Sequence, residues 1–190
     1  MEEDLIWKNV KLVKYDEKYF EYIYATYQDY NSRFLFTNDL VIESKKEMWN
    51  KLDKKIHTYY NEFMIIINVS NDLPVGFIYG YDYNTLNGYI YLAIYIDEKS
   101  RNNVIGAEAG MLFLNYLVEK YPIRKVYCTV YEYNKPSFKM LKNAGFKTEG
   151  VLKEHRYFNG KYHNMYIVSL EREGVLSLKE RLKFDIKTKP

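Results

Sequence analysis

A helix that is apolar on nearly every side lies between two apolar strands, and this segment limits the fold more than any other. The chain runs "YIYLAIYID" (89–97), then "IGAEAGMLFLNYLVEKY" (105–121), then "IRKVYCTVY" (123–131). Ala107, Ala109, Leu112, Phe113, Tyr116 and Leu117 surround the helix, so much of its surface is buried. A strand, a buried helix and a second strand at this spacing make a right-handed crossover between parallel strands. The loop that enters the helix is "SRNNV" (100–104), with Gly106 just inside it. A strand-to-helix joint offers free backbone N–H groups at the positive end of a helix, which makes this loop a candidate phosphate site.

The rest of the chain supplies an α+β (α/β) setting. "VKLVKY" (10–15) alternates like a strand, and a helix is expected from Asp16 to Tyr30. Ser44 and Glu47 have capping-box spacing and open a second helix running to about Tyr60. "FMIIINV" and "VGFIYGYDY" are strands joined by the turn "SNDLP". Asn134 is an N-cap with Pro136 in the first turn, and Gly145 ends that helix. "KEHRYF-NG-KYHNMYIVSL" is a hairpin with a type I′ Asn159-Gly160 turn. Residues 1–170 are expected to form one domain, followed by a tail over 171–190 that contains a short amphipathic helix with a basic end.

Composition removes several function classes. With 28 basic and 25 acidic side chains the net charge is only +3, too little to argue for a nucleic-acid partner. The single cysteine, Cys128, excludes an intrachain disulfide and the usual multi-cysteine zinc site, and its apolar strand points to an inert thiol. No metal is expected. No apolar run approaches the roughly 18 residues of a membrane span. The start "MEEDLIWKNV" lacks the order of a secretion signal, so no membrane partner and a cytoplasmic location are expected. The 22 tyrosines are a compositional bias that fills half-buried positions, where a ring buries and a hydroxyl stays wet.

The order strand, arginine loop, helix, strand, asparagine, helix, Gly145-Phe146 and hairpin resembles the GNAT superfamily of N-acetyltransferases over roughly residues 88–170. The ending "AGFKTEGVLKEHRYFNGKYHNMYIVSL" is similar to the branch that acetylates ribosomal-protein N-termini and to polyamine acetyltransferases. The resemblance implies one GNAT-like domain: a mixed, mostly antiparallel twisted sheet of about seven strands flanked by helices, with a parallel pair splayed around the cofactor. It implies acetyl-CoA as co-substrate, in a groove between the strands near 89–97 and 124–131. The cofactor would be held by Ile94, Ile96, Arg101, Asn102, Asn103, Val104, Ile105, Gly106, Ala107, Asn134 and Ser137. Lys99 would add charge at the loop, and the run Lys135, Lys139, Lys142 would offer charge to the adenosine 3′-phosphate.

Two departures stand out. Val104 occupies a family glycine position, and a β-branched residue resists positive φ. Leu141 occupies the place of the tyrosine that many members use as general acid. The ribosomal-protein branch also lacks that tyrosine, and its serine corresponds to Ser137, while its glutamate aligns with Arg156. Ser137 or a nearby tyrosine would then protonate the leaving sulfur. Glu154, His155 or Tyr91, through water, would take the amine proton, and backbone N–H groups around Ile94–Ile96 would stabilise the oxyanion. The expected activity is acetyl transfer, by direct attack, to a protein N-terminus, a polyamine or another small amine. A non-catalytic acyl-CoA-binding or scaffold protein of the same fold is the alternative. Either a monomer or a homodimer fits. His57 and His163 are expected to be structural.

Overall fold

The computed structural model describes residues 4–36, 44–101, 104–184 and 187–188. They divide into two compact units, Met1–Asp82 with Ile94–Phe113 and Asp185–Pro190, and Tyr83–Ala93 with Leu114–Phe184.

The first unit is an antiparallel sheet under helices. Its strands are β1 (Leu5–Trp7), β2 (Val10–Lys14), β3 (Tyr60–Asn68), most of β4 (Leu73–Asn84) and, at the C-terminal end, a two-residue strand at Lys187–Thr188. β3 is buried continuously from Glu62 to Ile67, as a central strand covered on both faces must be. Phe63, Ile65 and Ile67 pack with Phe77, with Phe20 and Ile23 of α1 (Phe20–Gln28), and with Met48 and Leu52 of α3 (Lys45–Thr58). The expected capping box opens α3, with the Glu47 N–H donating to Ser44 Oγ and the Ser44 N–H to the Glu47 carboxylate.

The single helix expected over Asp16–Tyr30 is broken. Asp16 caps a 3-10 turn at Glu17–Tyr19, α1 follows, and Asp29 turns extended at ψ 111° before α2 (Tyr30–Phe36) begins. Asp29 restarts the helix, its carbonyl accepting from the Arg33 N–H at 3.0 Å. The new direction brings the Phe36 ring within 4.8–5.5 Å of the Tyr27, Phe77 and Tyr95 rings. Burial of those rings outweighs uninterrupted helix propensity.

The second unit carries the parallel pair. β5 (Tyr89–Ile96) pairs in parallel with β6 (Lys125–Tyr131), and β6 pairs antiparallel with β8 (Lys161–Glu171), which pairs with β7 (Lys147–Phe158). The Asn159-Gly160 turn has φ of 49° and 82°, both positive as a type I′ turn requires. α4 (Ile105–Lys120), which belongs to the first unit up to Phe113 and to the second from Leu114, is the crossover helix, and α5 (Lys135–Asn143) follows β6. Gly145, at φ 95°, ends α5 where expected. Residues 172–181 form α6 (Arg172–Arg181), which buries Val175 and Leu178 and ties Lys179 to Glu119 at 3.0 Å. The sheet is mixed and mostly antiparallel, as expected. The two strands beyond the expected seven are β1 and β9 (Lys187–Thr188), which pair with each other at a sheet edge.

Candidate active site

In the described part of the loop after β5, the Arg101 side chain turns back on its own strand. Arg101 Nε donates to the Ile96 carbonyl at 2.8 Å, and its guanidinium lies 5.6 Å from the Tyr95 ring centroid. Asp97, which starts the loop, accepts from the Tyr22 hydroxyl of α1 at 2.9 Å, and its N–H donates to the Val75 carbonyl at 2.9 Å. Burial raises the Asp97 carboxyl above its ordinary value, more than the tyrosine hydrogen bonds lower it. Burial, with Asp97 beside it, also pushes the Tyr22 phenol upward. The Tyr22–Asp97 contact joins residues 75 positions apart, and no local signal in the sequence announces it.

Val104 stands at the entry to α4. Val104 is 56% exposed and its carbonyl accepts from the Glu108 N–H at 2.9 Å, the first i→i−4 bond of the helix. Gly106, inside the helix, is not among the described residues with positive φ. The valine side chain is largely exposed and does not join the core. Ahead of that bond, helix geometry leaves the first-turn N–H groups, including those of Gly106 and Ala107, without an intrahelical acceptor. Asn102 and Asn103 lie outside the described residues. Glu108 is buried and accepts from the Asn9 backbone N–H and side-chain amide at 3.1 Å. It clasps α4 to the β1–β2 turn across 99 positions of sequence and is structural.

Ile94 and Ile96 lie where β5 changes face. Ile90 and Leu92 are buried, then Tyr95, so the two-residue alternation slips by one at Ala93–Ile94. Gly76 of β4 sits so close that a Cβ there would lie 2.2 Å from the Tyr95 carbonyl oxygen. The parallel pairing joins Tyr89, Ile90 and Tyr91 to Lys125, Val126 and Tyr127, and both strands run on past it. Tyr91 is half-buried, its ring stacked on Tyr127 at 5.3 Å with Tyr89 edge-on at 6.1 Å.

Asn134 caps α5, its Oδ1 accepting from the Ser137 N–H at 3.4 Å, and Ser137 is half-buried in the first turn. Glu154 is exposed and sits in a bulge of β7 with φ 49°, its N–H donating to Asn164 Oδ1 at 3.0 Å. His155 beside it is exposed as well. The candidates thus fall in two groups. Ile94, Ile96, Arg101, Val104, Ile105, Gly106 and Ala107 belong to the first unit; Tyr91, Asn134, Ser137 and Glu154 belong to the second.

Cys128 is buried, and burial pushes its thiol up to about 12, so it stays protonated and unreactive. His163 is buried against Tyr133, while His57 is exposed and pairs with Asp53 at 3.3 Å. Among the described residues no group of three or more His, Cys, Asp or Glu could hold a metal ion, and no helix is long and apolar enough to cross a membrane. The sequence reading overlooked Tyr22, Asp97, Asn9 and the aromatic setting of Arg156.

The profile of the acetyltransferase (GNAT) domain matches residues 12–167. The chain belongs to that family. It is 30% identical over 115 residues to the SPbeta prophage-derived uncharacterized N-acetyltransferase YokL of Bacillus subtilis, a match over 60% of this chain and 64% of that protein. The chain therefore spans less than two thirds of this relative. Spermidine N-acetyltransferase from Vibrio cholerae, solved with CoA and spermine, superimposes with a TM-score of 0.79 at 17% identity, over 88% of this chain and 98% of that one. An acetyltransferase from Salmonella typhimurium that modifies the N-terminal serine of ribosomal protein L7/L12 gives 0.72 at 16%, over 87% and 96%. At such identities these two structures share the fold with this chain.

Proposed function

We propose that the protein is an acetyl-CoA-dependent N-acetyltransferase that moves an acetyl group directly onto a primary amine. The observation that carries this is the start of α4. There the first-turn N–H groups follow a loop clasped by Arg101, an arrangement that binds a pyrophosphate without a metal. Arg101, Asn102, Asn103, Val104, Ile105, Gly106 and Ala107 are assigned to that pyrophosphate, with Asn134 and Ser137 along the pantetheine arm and the sulfur. The slip in β5 supports the assignment of backbone N–H groups around Ile94 and Ile96 to the carbonyl oxygen, where developing negative charge is stabilised. Ser137, or Tyr91, returns a proton to the thiolate, and Glu154 or Tyr91, through water, receives one from the amine. The acceptor is a protein N-terminus, a polyamine or another small amine, and the cytoplasmic setting expected from the sequence belongs to the same proposal.

Two measurements test this. Calorimetric titration with CoA should give saturable binding, and thiol release from acetyl-CoA should depend on added amine. No heat and no thermal shift at millimolar CoA refutes the cofactor assignment. Binding without thiol release from any amine makes the protein a non-catalytic acyl-CoA binder of the same fold.

A further inference from the structure

The second unit contains a positively charged side chain that the reaction steps above do not use. β7 and β8 pair at Leu152 with Met165 and again at Arg156 with His163, so β7 advances four residues while β8 advances two. The surplus forms the bulge in which Glu154 takes its positive φ. The bulge is pinned: Glu154 N–H donates to Asn164 Oδ1, Asn164 N–H donates to the Glu132 carboxylate at 3.1 Å, and Glu132 N–H returns to the Asn164 carbonyl at 2.9 Å. A bulge re-aims the side chain that follows it. Here that side chain is Arg156, whose guanidinium lies 5.4 Å from the Tyr131 ring centroid. The Tyr131 and Tyr133 rings stack at 5.3 Å, and Phe158 packs on Tyr133 at 4.4 Å. Tyr133 immediately precedes Asn134, the cap of α5.

A half-buried guanidinium is therefore held among rings at the C-terminal end of β6, against the Tyr131–Tyr133 stack that leads into Asn134. Ligands of open parallel sheets collect at such strand ends. An arginine forks onto a carboxylate or a phosphate, and a second cation brought to the same place is repelled. We propose that Arg156 selects the acceptor, favouring an amine whose own molecule carries a carboxylate or phosphate over a polycation. This rests on the acetyl-transfer reading, which places Asn134 and Ser137 at the reacting thioester.

The test uses four short primary amines as acceptors for thiol release from acetyl-CoA: propylamine, 1,3-diaminopropane, 3-aminopropanoate and O-phosphoethanolamine. The native enzyme should favour at least one of the anionic amines over propylamine by about tenfold or more in kcat/KM, as one charge-assisted hydrogen bond supplies. 1,3-Diaminopropane should be the poorest. The better of the two anionic amines identifies carboxylate or phosphate as the recognised group. Arg156→Gln should bring the ratio of the anionic amine to propylamine within about threefold of one, chiefly through KM. Arg156→Lys, which keeps the charge, should retain part of the preference. Turnover in which the dication equals or exceeds the anionic amines, or in which Arg156→Gln lowers all four by one common factor, overturns the selection and leaves acetyl transfer standing. No thiol release with any amine overturns the acetyl-transfer reading, and the selection with it.

Discussion

Replacing Arg101 separates two roles that one side chain combines. Its Nε–H donates to the Ile96 carbonyl at 2.8 Å and its guanidinium lies 5.6 Å from the Tyr95 ring centroid. A hydrogen bond from a charged donor contributes about 1.5–3 kcal/mol, and a partly exposed cation–π contact about 0.5–1 kcal/mol. Arg101→Ala should therefore destabilise the fold by about 2–3 kcal/mol, since the freed carbonyl recovers some hydration. At this chain length that corresponds to a fall in Tm of roughly 4–12 °C, at about 2–4 °C per kcal/mol. Arg101→Lys keeps the positive charge but cannot reproduce the planar N–H directed at Ile96, so it should lose most of the same stability. CoA affinity should separate the two variants. If the charge assists the pyrophosphate, alanine weakens binding by about tenfold and lysine by much less, the worth of about 1.4 kcal/mol. Urea unfolding and calorimetric CoA titration measure both quantities on the same samples. A stability within about 0.5 kcal/mol of the native protein for Arg101→Ala, the range of an ordinary surface substitution, refutes the clasp.

Three further outcomes are expected. Gly76→Ala places a Cβ 2.2 Å from the Tyr95 carbonyl oxygen, so β5 must shift; stability should fall by about 1–3 kcal/mol or more in urea unfolding, and acetyl transfer should fall with it. Ser137→Ala should lower kcat by about 10- to 100-fold without moving the unfolding midpoint, because the cap uses the Ser137 N–H and not its hydroxyl; an unchanged kcat removes Ser137 from the chemistry. Hydrogen bonds from Ser169 and then Lys125 hold the Glu149 carboxyl below its ordinary 4.5, so its contribution is present above that pH and lost as pH falls through the lower folded value. The urea midpoint of Glu149→Gln should accordingly lie below the native one near about pH 7 and converge with it toward about pH 3, and a gap undiminished at the acid end contradicts the linkage.

Features governed by neighbouring residues were legible in the sequence. The Ser44–Glu47 box, the Asn134 cap, the Gly145 stop and the Asn159-Gly160 turn each depend on a few positions, and each forms as expected. The crossover was legible because an all-apolar helix between two apolar strands has few other ways to be buried. The break at Asp29 was not legible, because its reason is the Phe36 ring docking on Phe77 and Tyr95, far along the chain. β1 is three residues long, too short for a periodic pattern, and depends on its pairing with β2 and β9. Glu108 stood inside a recognisable stretch, yet its partner Asn9 carries no signal of its own.

The same distinction separates the cofactor assignment from the acceptor assignment. Binding a pyrophosphate at a helix start is backbone chemistry, and the sequence needs only to stop a strand, turn and begin a buried helix. Val104 illustrates how loosely that constrains side chains: it stands where the resemblance places a glycine, yet α4 opens there, its carbonyl accepting from the Glu108 N–H and its side chain exposed. Acceptor selection depends instead on a charge brought into position by tertiary structure. Arg156 faces Tyr131 because two surplus residues in β7 turn it and Asn164 and Glu132 hold the turn. Deleting those two residues would restore simple alternation to β7 and re-aim Arg156, with the composition of the ring cluster unchanged. A close relative that kept every candidate residue but lacked the bulge would therefore be expected to keep the cofactor and change the amine.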